Sequence, residues 1–116
     1  QWCKNASALV VIVSSKIFES NEQPSQTHTF DTGAAWGSLA LEGARRGLVV
    51  HGMQGFDYEK VKQVLNIGDN YTVEAMCAIG KVGKKSVLPK EMREKEVPSQ
   101  RKSVHEIVSF GTFKWK

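Results

Sequence analysis

Between Ala8 and Ser14 the chain runs Ala-Leu-Val-Val-Ile-Val-Ser, an unbroken, largely β-branched stretch with no polar alternation. Such a run does not suit a half-solvated strand, because a strand with one wet face alternates with period two. It predicts a central strand covered on both faces, and so a layered fold with neighbours on either side. The run is far shorter than the roughly 20 apolar residues that cross a bilayer. No signal-peptide pattern accompanies it, so a membrane partner is not expected and a cytoplasmic location is.

The next segments are clearly punctuated. Residues 15–27 are polar, with Asn21 and Pro24, and read as an exposed connection ending in a helix cap at Ser25 or Thr27. From His28 to Arg46 the polar residues Asp31, Ser38, Glu42 and Arg45 fall on one narrow helical stripe. The rest is apolar or small, which predicts a helix buried around most of its circumference. Gly33, Gly37, Ala40 and Ala44 form a second line along it. Glycine in a helix interior costs about 1 kcal/mol, so that line implies close contact with another backbone, either the chain's own sheet or a second subunit. Gly47 should end the helix, Leu48 to His51 form a short strand, and Gly52-Met53-Gln54-Gly55 a glycine turn. Asp57 caps a helix from Tyr58 to Leu65 that turns Val61 and Leu65 inward. Tyr71 to Gly80 alternates and predicts a third strand with Val73, Ala75, Cys77 and Ile79 on one face.

Beyond Gly80 the texture changes. Residues 1–80 hold six Lys/Arg against eight Asp/Glu, whereas residues 81–116 hold ten against four, so the net charge of +4 resides in the C-terminal part. Pro89 opens a brief helix to Lys95, Ser103 caps another through Val108, and Phe110 to Lys116 form an aromatic, extended tail. Basic charge can meet a polyanion. The aromatics Phe110, Phe113 and Trp115, however, cluster at the end instead of interleaving with the charges, so a solvated segment is expected, not a nucleic-acid surface. A noncatalytic polyanion-binding module is the alternative function.

Composition supplies no catalytic constellation and no metal-ligand spacing. Cys3 and Cys77 lack a CxxC or Cys/His companion and read as free thiols of a reducing compartment, and His28, His51 and His105 are scattered. What remains is the glycine turn after a buried strand, where backbone N–H groups can approach a flat ligand, and Arg101-Lys102, suited to a phosphate.

The order of segments carries more. Ala6-Ser-Ala-Leu-Val-Val-Ile-Val13, the helix Asp31-Thr-Gly-Ala-Ala-Trp-Gly-Ser-Leu-Ala-Leu-Glu-Gly-Ala-Arg-Arg-Gly-Leu48, the turn Gly52-Met-Gln-Gly-Phe-Asp57, the strand end Ala75-Met-Cys-Ala-Ile-Gly80 and Arg101-Lys-Ser-Val-His-Glu-Ile-Val108 together resemble the C-terminal portion of the nitroreductase family. That resemblance implies an α+β fold, an α/β/α sandwich with a mainly antiparallel central sheet that is incomplete in residues 1–116. Residues 1–80 would be its core and 81–116 a basic extension. It implies an FMN-dependent oxidoreductase moving electrons from NAD(P)H to a small-molecule acceptor of the nitroaromatic, quinone or flavin type, as a homodimer with FMN at the subunit boundary. Gly52, Met53, Gln54 and Gly55 would lie beside the flavin ring and Arg101 and Lys102 on its phosphate, with no protein acid or base assigned. Gln54 stands where many members carry an acidic residue or glycine, so only its backbone role carries over. The family's N-terminal arginine-rich motif has no counterpart here. The start at Gln1 close to a strand leads us to expect a piece of a longer protein. A flavin-fold relative that binds without redox turnover is a third reading.

Overall fold

The computed structural model describes residues 2–115, so Gln1 and Lys116, the last residue of the expected tail, lie outside the described residues. The chain divides into two compact units, Gln1–Val82 and Gly83–Lys116. The first is built on a three-stranded antiparallel sheet of β1 (Ala8–Ser15), β2 (Val49–Met53) and β3 (Tyr71–Gly80), in the order β1-β3-β2. The 18-residue helix α1 (His28–Arg45) packs on it. This is the α+β layering with a small antiparallel sheet that the sequence implied.

The order of strands corrects one expectation. Among the described residues, β1 is an edge strand and β3 holds the centre. Leu9 and Val10 are 51% and 37% exposed, whereas Val73, Cys77 and Ala78 of β3 are buried. The centre has neighbours on both sides as well as above, and the small residues Ala75, Cys77 and Ala78 meet that crowding better than a row of valines.

A second correction concerns the faces of β3. Ile12 pairs with Ala75 but Val13 pairs with Val73, so Glu74 is an extra residue in the ladder, a β-bulge. Up to the bulge the alternation is as expected, with Ala75, Cys77 and Ile79 opposite Ile12, Val10 and Ala8. Beyond it the faces exchange. Thr72, opposite Ser14, takes the α1 side, and Val73 turns to the opposite face.

Helix α1 begins at Thr27, whose hydroxyl donates to Asp31 Oδ2 at 3.0 Å, with no side-chain bond to the helix's free N–H groups. It ends in a Schellman turn. Gly47 sits at φ +70°, its N–H donates to the Ala44 carbonyl, and the Leu48 N–H donates to the Gly43 carbonyl at 2.9 Å. The last turn is braced by Glu42, which accepts from Arg45 and Arg46; the Arg45 hydrogen bond, then that of Arg46, holds the Glu42 carboxyl below its ordinary value. The pairs are exposed and contribute little to stability.

The helix is not buried around most of its circumference in this chain. His28, Thr32, Trp36, Ala40 and Gly43 form its shielded line, while Phe30 and Leu41 are 76% and 74% exposed. Of the small residues singled out, Gly33 and Gly37 would meet nothing with an added Cβ. The close approach is at Gly43, where a Cβ would overlap Val50 Cγ2 of β2.

Between β2 and β3, α2 (Tyr58–Val64) starts at Asp57, whose carboxylate accepts from the Lys60 N–H at 2.9 Å. Val61 is shielded as expected, but Leu65 is 54% exposed, because the helix stops at Val64 and the chain turns through Asn66 at φ +51°. The second unit holds α3 (Lys90–Lys95) and α4 (Val104–Ile107). Glu106 there accepts from both the backbone N–H and the hydroxyl of Ser103, which lowers its carboxyl below the ordinary value. Phe113 and Trp115 stack edge to face at 5.4 Å.

Cys77, in the central strand between Val10 of β1 and Gly52 of β2, is fully buried, and that burial pushes its thiol up, against the smaller opposing effect of a hydrogen bond to the Val10 backbone. Only thiolate reacts with disulfide reagents. At pH 8 native protein should therefore release one equivalent of thiol, from the partly exposed Cys3, and a second only as denaturant opens the sheet. Two equivalents at once without denaturant would contradict this packing.

Candidate functional site

Where the first half of α1 crosses the sheet it leaves an open cleft of ≈ 410 Å³. Thr29, Thr32, Gly33 and Trp36 form the helix side, and Ile12, Glu74 and Ala75 the sheet side. The end of β2 closes it with Gly52, Met53 and Gln54. Two local features make the opening. Gly52 lets the Trp36 indole lie against the strand, since a Cβ there would stand 3.1 Å from Trp36 Cζ2. The bulge swings Glu74 onto the same side as Ala75, so that a carboxylate enters an otherwise uncharged wall.

Glu74 does not stand alone. The Ser14 hydroxyl, on a residue only 3% exposed, donates to Glu74 Oε1 at 2.6 Å and lies 2.8 Å from His28 Nδ1. The imidazole and carboxylate are 3.8 Å apart. Three elements meet here: β1 gives Ser14, the first residue of α1 gives His28, and β3 gives Glu74. The sequence reading missed this cluster. Its one visible signal is that Glu74 is the only charged residue within Tyr71–Gly80.

The residues expected to bind a cofactor fall in two places. Gly52 and Met53 are not turn residues: they close β2, opposite Cys77 and Met76. The alternation of β2 simply continues two residues past His51, because β3 is long enough to pair with it. Gln54 and Gly55 form the turn itself, where the Phe56 N–H donates to the Gln54 carbonyl at 3.0 Å. The N–H groups of Gln54 and Gly55 donate to none of the turn and loop acceptors among the described residues. Nothing within 4 Å crowds a Cβ at Gly55. Arg101 and Lys102 are exposed residues of the second unit, where Arg101 Nη1 donates to Ser99 Oγ at 3.1 Å.

A model of the nitroreductase family matches residues 1–81. The chain belongs to the nitroreductase family. A crystal structure of an oxidoreductase containing FMN is 42% identical, with a TM-score of 0.89 over 99% of this chain and 60% of that one. A nitroreductase family protein from Clostridium difficile 630 shares the fold, with a TM-score of 0.63 at 18% identity, over 94% of this chain and 62% of its own. The uncharacterized 15.4 kDa protein in the ask 5′ region of Mycolicibacterium smegmatis is 28% identical over 110 residues, 95% of this chain and 72% of that protein. This nitroreductase-family chain therefore spans about 60% of the length of these two solved structures. Among the described residues no helix is long and apolar enough to cross a membrane, and no cluster of His, Cys, Asp or Glu has the makings of a metal site.

The cleft fits the ring of a flavin in kind. It has an indole and aliphatic walls, Gln54 at its rim, and the hydroxyl-bearing Thr29 and Thr32 on the helix. It does not by itself suit a phosphate, since no Lys or Arg lines it.

Proposed function

We infer that the protein is an FMN-dependent oxidoreductase of the cytoplasm that passes electrons from NAD(P)H to nitroaromatic, quinone or flavin-type acceptors. The observation that carries the reading is the meeting, at one cleft, of Gln54 and the end of β2 with the first turns of α1 in a chain 42% identical to an FMN-containing oxidoreductase. FMN, when bound, supplies the chemistry, accepting two electrons from the nicotinamide and yielding them to the acceptor. The protein's part is position and exclusion. Gln54 and Gly55 offer N–H donors to the polar edge of the ring, and Trp36 and Ile12 line the cleft with apolar surface; Arg101 and Lys102, in the second unit taken by itself, are cations of the kind that bind a phosphate. In this reading both units belong to a single flavin-binding domain.

The same reading makes the molecule a homodimer. Phe30, Ala34, Leu41 and Ala44 form an exposed stripe along α1, with Gly33 and Gly37 beside it, apolar on its flanks and small at its centre. Such a stripe suits close contact with an equivalent helix of a second subunit. Leu41→Glu should convert a dimer into a monomer in sedimentation or light-scattering measurements, whereas Val64→Glu, equally exposed but on α2, should leave the dimer intact. A dimer that tolerates Leu41→Glu would remove α1 from the interface.

The test of function is direct: added FMN should be taken up with quenched fluorescence, and the yellow protein should oxidise NADH or NADPH with an added quinone as acceptor. Protein that takes up no FMN would end this reading.

A further inference from the structure

We propose that His28, Ser14 and Glu74 form a proton relay from solvent to the cleft, with Glu74 as the group that protonates the reduced acceptor. The inference rests on the flavoenzyme reading and adds to it a protein acid.

A serine hydroxyl has a single hydrogen, and an ionised carboxylate can only accept. At 2.6 Å the Ser14 hydroxyl donates to Glu74, so its contact with His28 Nδ1, at 2.8 Å, has to run the other way, with Nδ1–H as the donor. The hydrogen bonds then point in one direction, from imidazole to hydroxyl to carboxylate, and Glu74 is one of the residues that line the cleft. Ser14 is buried, whereas the His28 side chain is 20% exposed and that of Glu74 25%; the relay serves when an acceptor in the cleft covers Glu74 and leaves His28 as the route by which protons exchange with solvent. A purely structural pairing would not require the last link to open onto a cavity.

The proton balance closes. A quinone that captures a hydride equivalent, supplied by NAD(P)H through the cofactor, is left with one oxyanion. Glu74 in its acid form gives that oxygen a proton and becomes a carboxylate. A proton taken up at His28 Nε2 releases the one on Nδ1 to Ser14, whose own hydrogen passes to Glu74. Net, one solvent proton reaches the acceptor and the three side chains are restored when the imidazole returns to its Nδ1–H form. The groups that touch His28 allow this: Glu74 from β3 and Ser14 from β1. Asp31, one turn along α1, is engaged by Thr27.

Two measurements on the full chain test it. In ¹⁵N spectra, neutral His28 should carry its proton on Nδ1; a proton on Nε2 alone would mean that Ser14 donates to the imidazole and would overturn the relay. On flavin-loaded protein, Glu74→Gln keeps the hydrogen-bond acceptor but cannot carry a proton, and should slow quinone reduction ~100-fold, the low end for a general acid. Ser14→Ala should do the same, and Ser14→Thr, which restores a hydroxyl on a β-branched residue suited to a strand, should recover most of the rate. Rates are compared with each variant saturated with FMN. Unchanged quinone reduction in Glu74→Gln with FMN bound sinks the relay and leaves the flavoenzyme reading standing. Failure of unaltered protein to take up FMN sinks both.

Discussion

Replacing Gln54 by proline is expected to weaken FMN binding by about 10- to 100-fold, while replacing it by alanine changes affinity by less than about 3-fold. The contrast lies in which atoms of Gln54 serve the cleft. Its side chain is exposed and makes no hydrogen bond among the described residues, whereas its N–H sits at the end of β2. Proline removes that donor alone, and leaving a buried ligand acceptor unpaired costs about 1–3 kcal/mol, which corresponds to that loss of affinity. Proline is also tolerable there, since it asks the preceding residue to be extended and Met53 is already paired with Met76 in the sheet. Fluorescence titration with FMN reads both variants. Equal affinity for proline and alanine variants would show that this turn binds the ring through some other atom, and a large loss with alanine would return the role to the side chain.

The second large effect is on stability. Gly43→Ala should destabilise the protein by up to about 2 kcal/mol, although alanine is the better helix former. Helix propensity alone favours the substitution by about 1 kcal/mol. Against it stands the overlap of the new methyl with Val50 Cγ2 at the place where α1 lies closest on β2, and overpacking of this kind costs about 1–3 kcal/mol. Packing wins because neither partner is the end of a flexible chain: Val50 is β-branched and held in the ladder opposite Ile79. Shortening Val50 to alanine in the same protein should remove the conflict, so the double mutant should be more stable than the sum of the singles by about 1 kcal/mol or more. Urea melts monitored by circular dichroism provide the four values. An additive cycle, or a stabilised Gly43→Ala, would place the helix farther from the strand than this packing requires.

The parts of this molecule that were legible in its sequence are those set by neighbours along the chain. The start of α1 at His28, its glycine stop at Gly47, the Asp57 cap and both ends of β3 arise from local preferences, and they stand where the pattern put them. What escaped is set by partners far away. The Ala8–Val13 run reads as a strand, but nothing within it tells an edge from a centre; that depends on β3, some 60 residues on. The bulge was equally hidden. It carries no glycine or proline to mark it, and it moves Val73 to the other face while bringing Glu74 round to Ser14 and His28. The candidate site was half legible for the same reason. Gln54 and Gly55 belong to a turn that composition announces, whereas the Ser14, His28 and Glu74 cluster exists only after three elements have met.

The order β1-β3-β2 also shapes how this chain is born. The strand that binds both others is the last of the three to be synthesised. Until Tyr71–Gly80 clears the ribosome, Ala8–Val13 has no mate among the described strands, and it is the kind of segment that seeks one in another molecule. At ordinary elongation rates of about 5–20 residues per second the wait lasts several seconds. Expression yield should accordingly depend less on the finished protein's stability than on how slowly the ribosome covers that distance and whether a chaperone shields the nascent edge meanwhile.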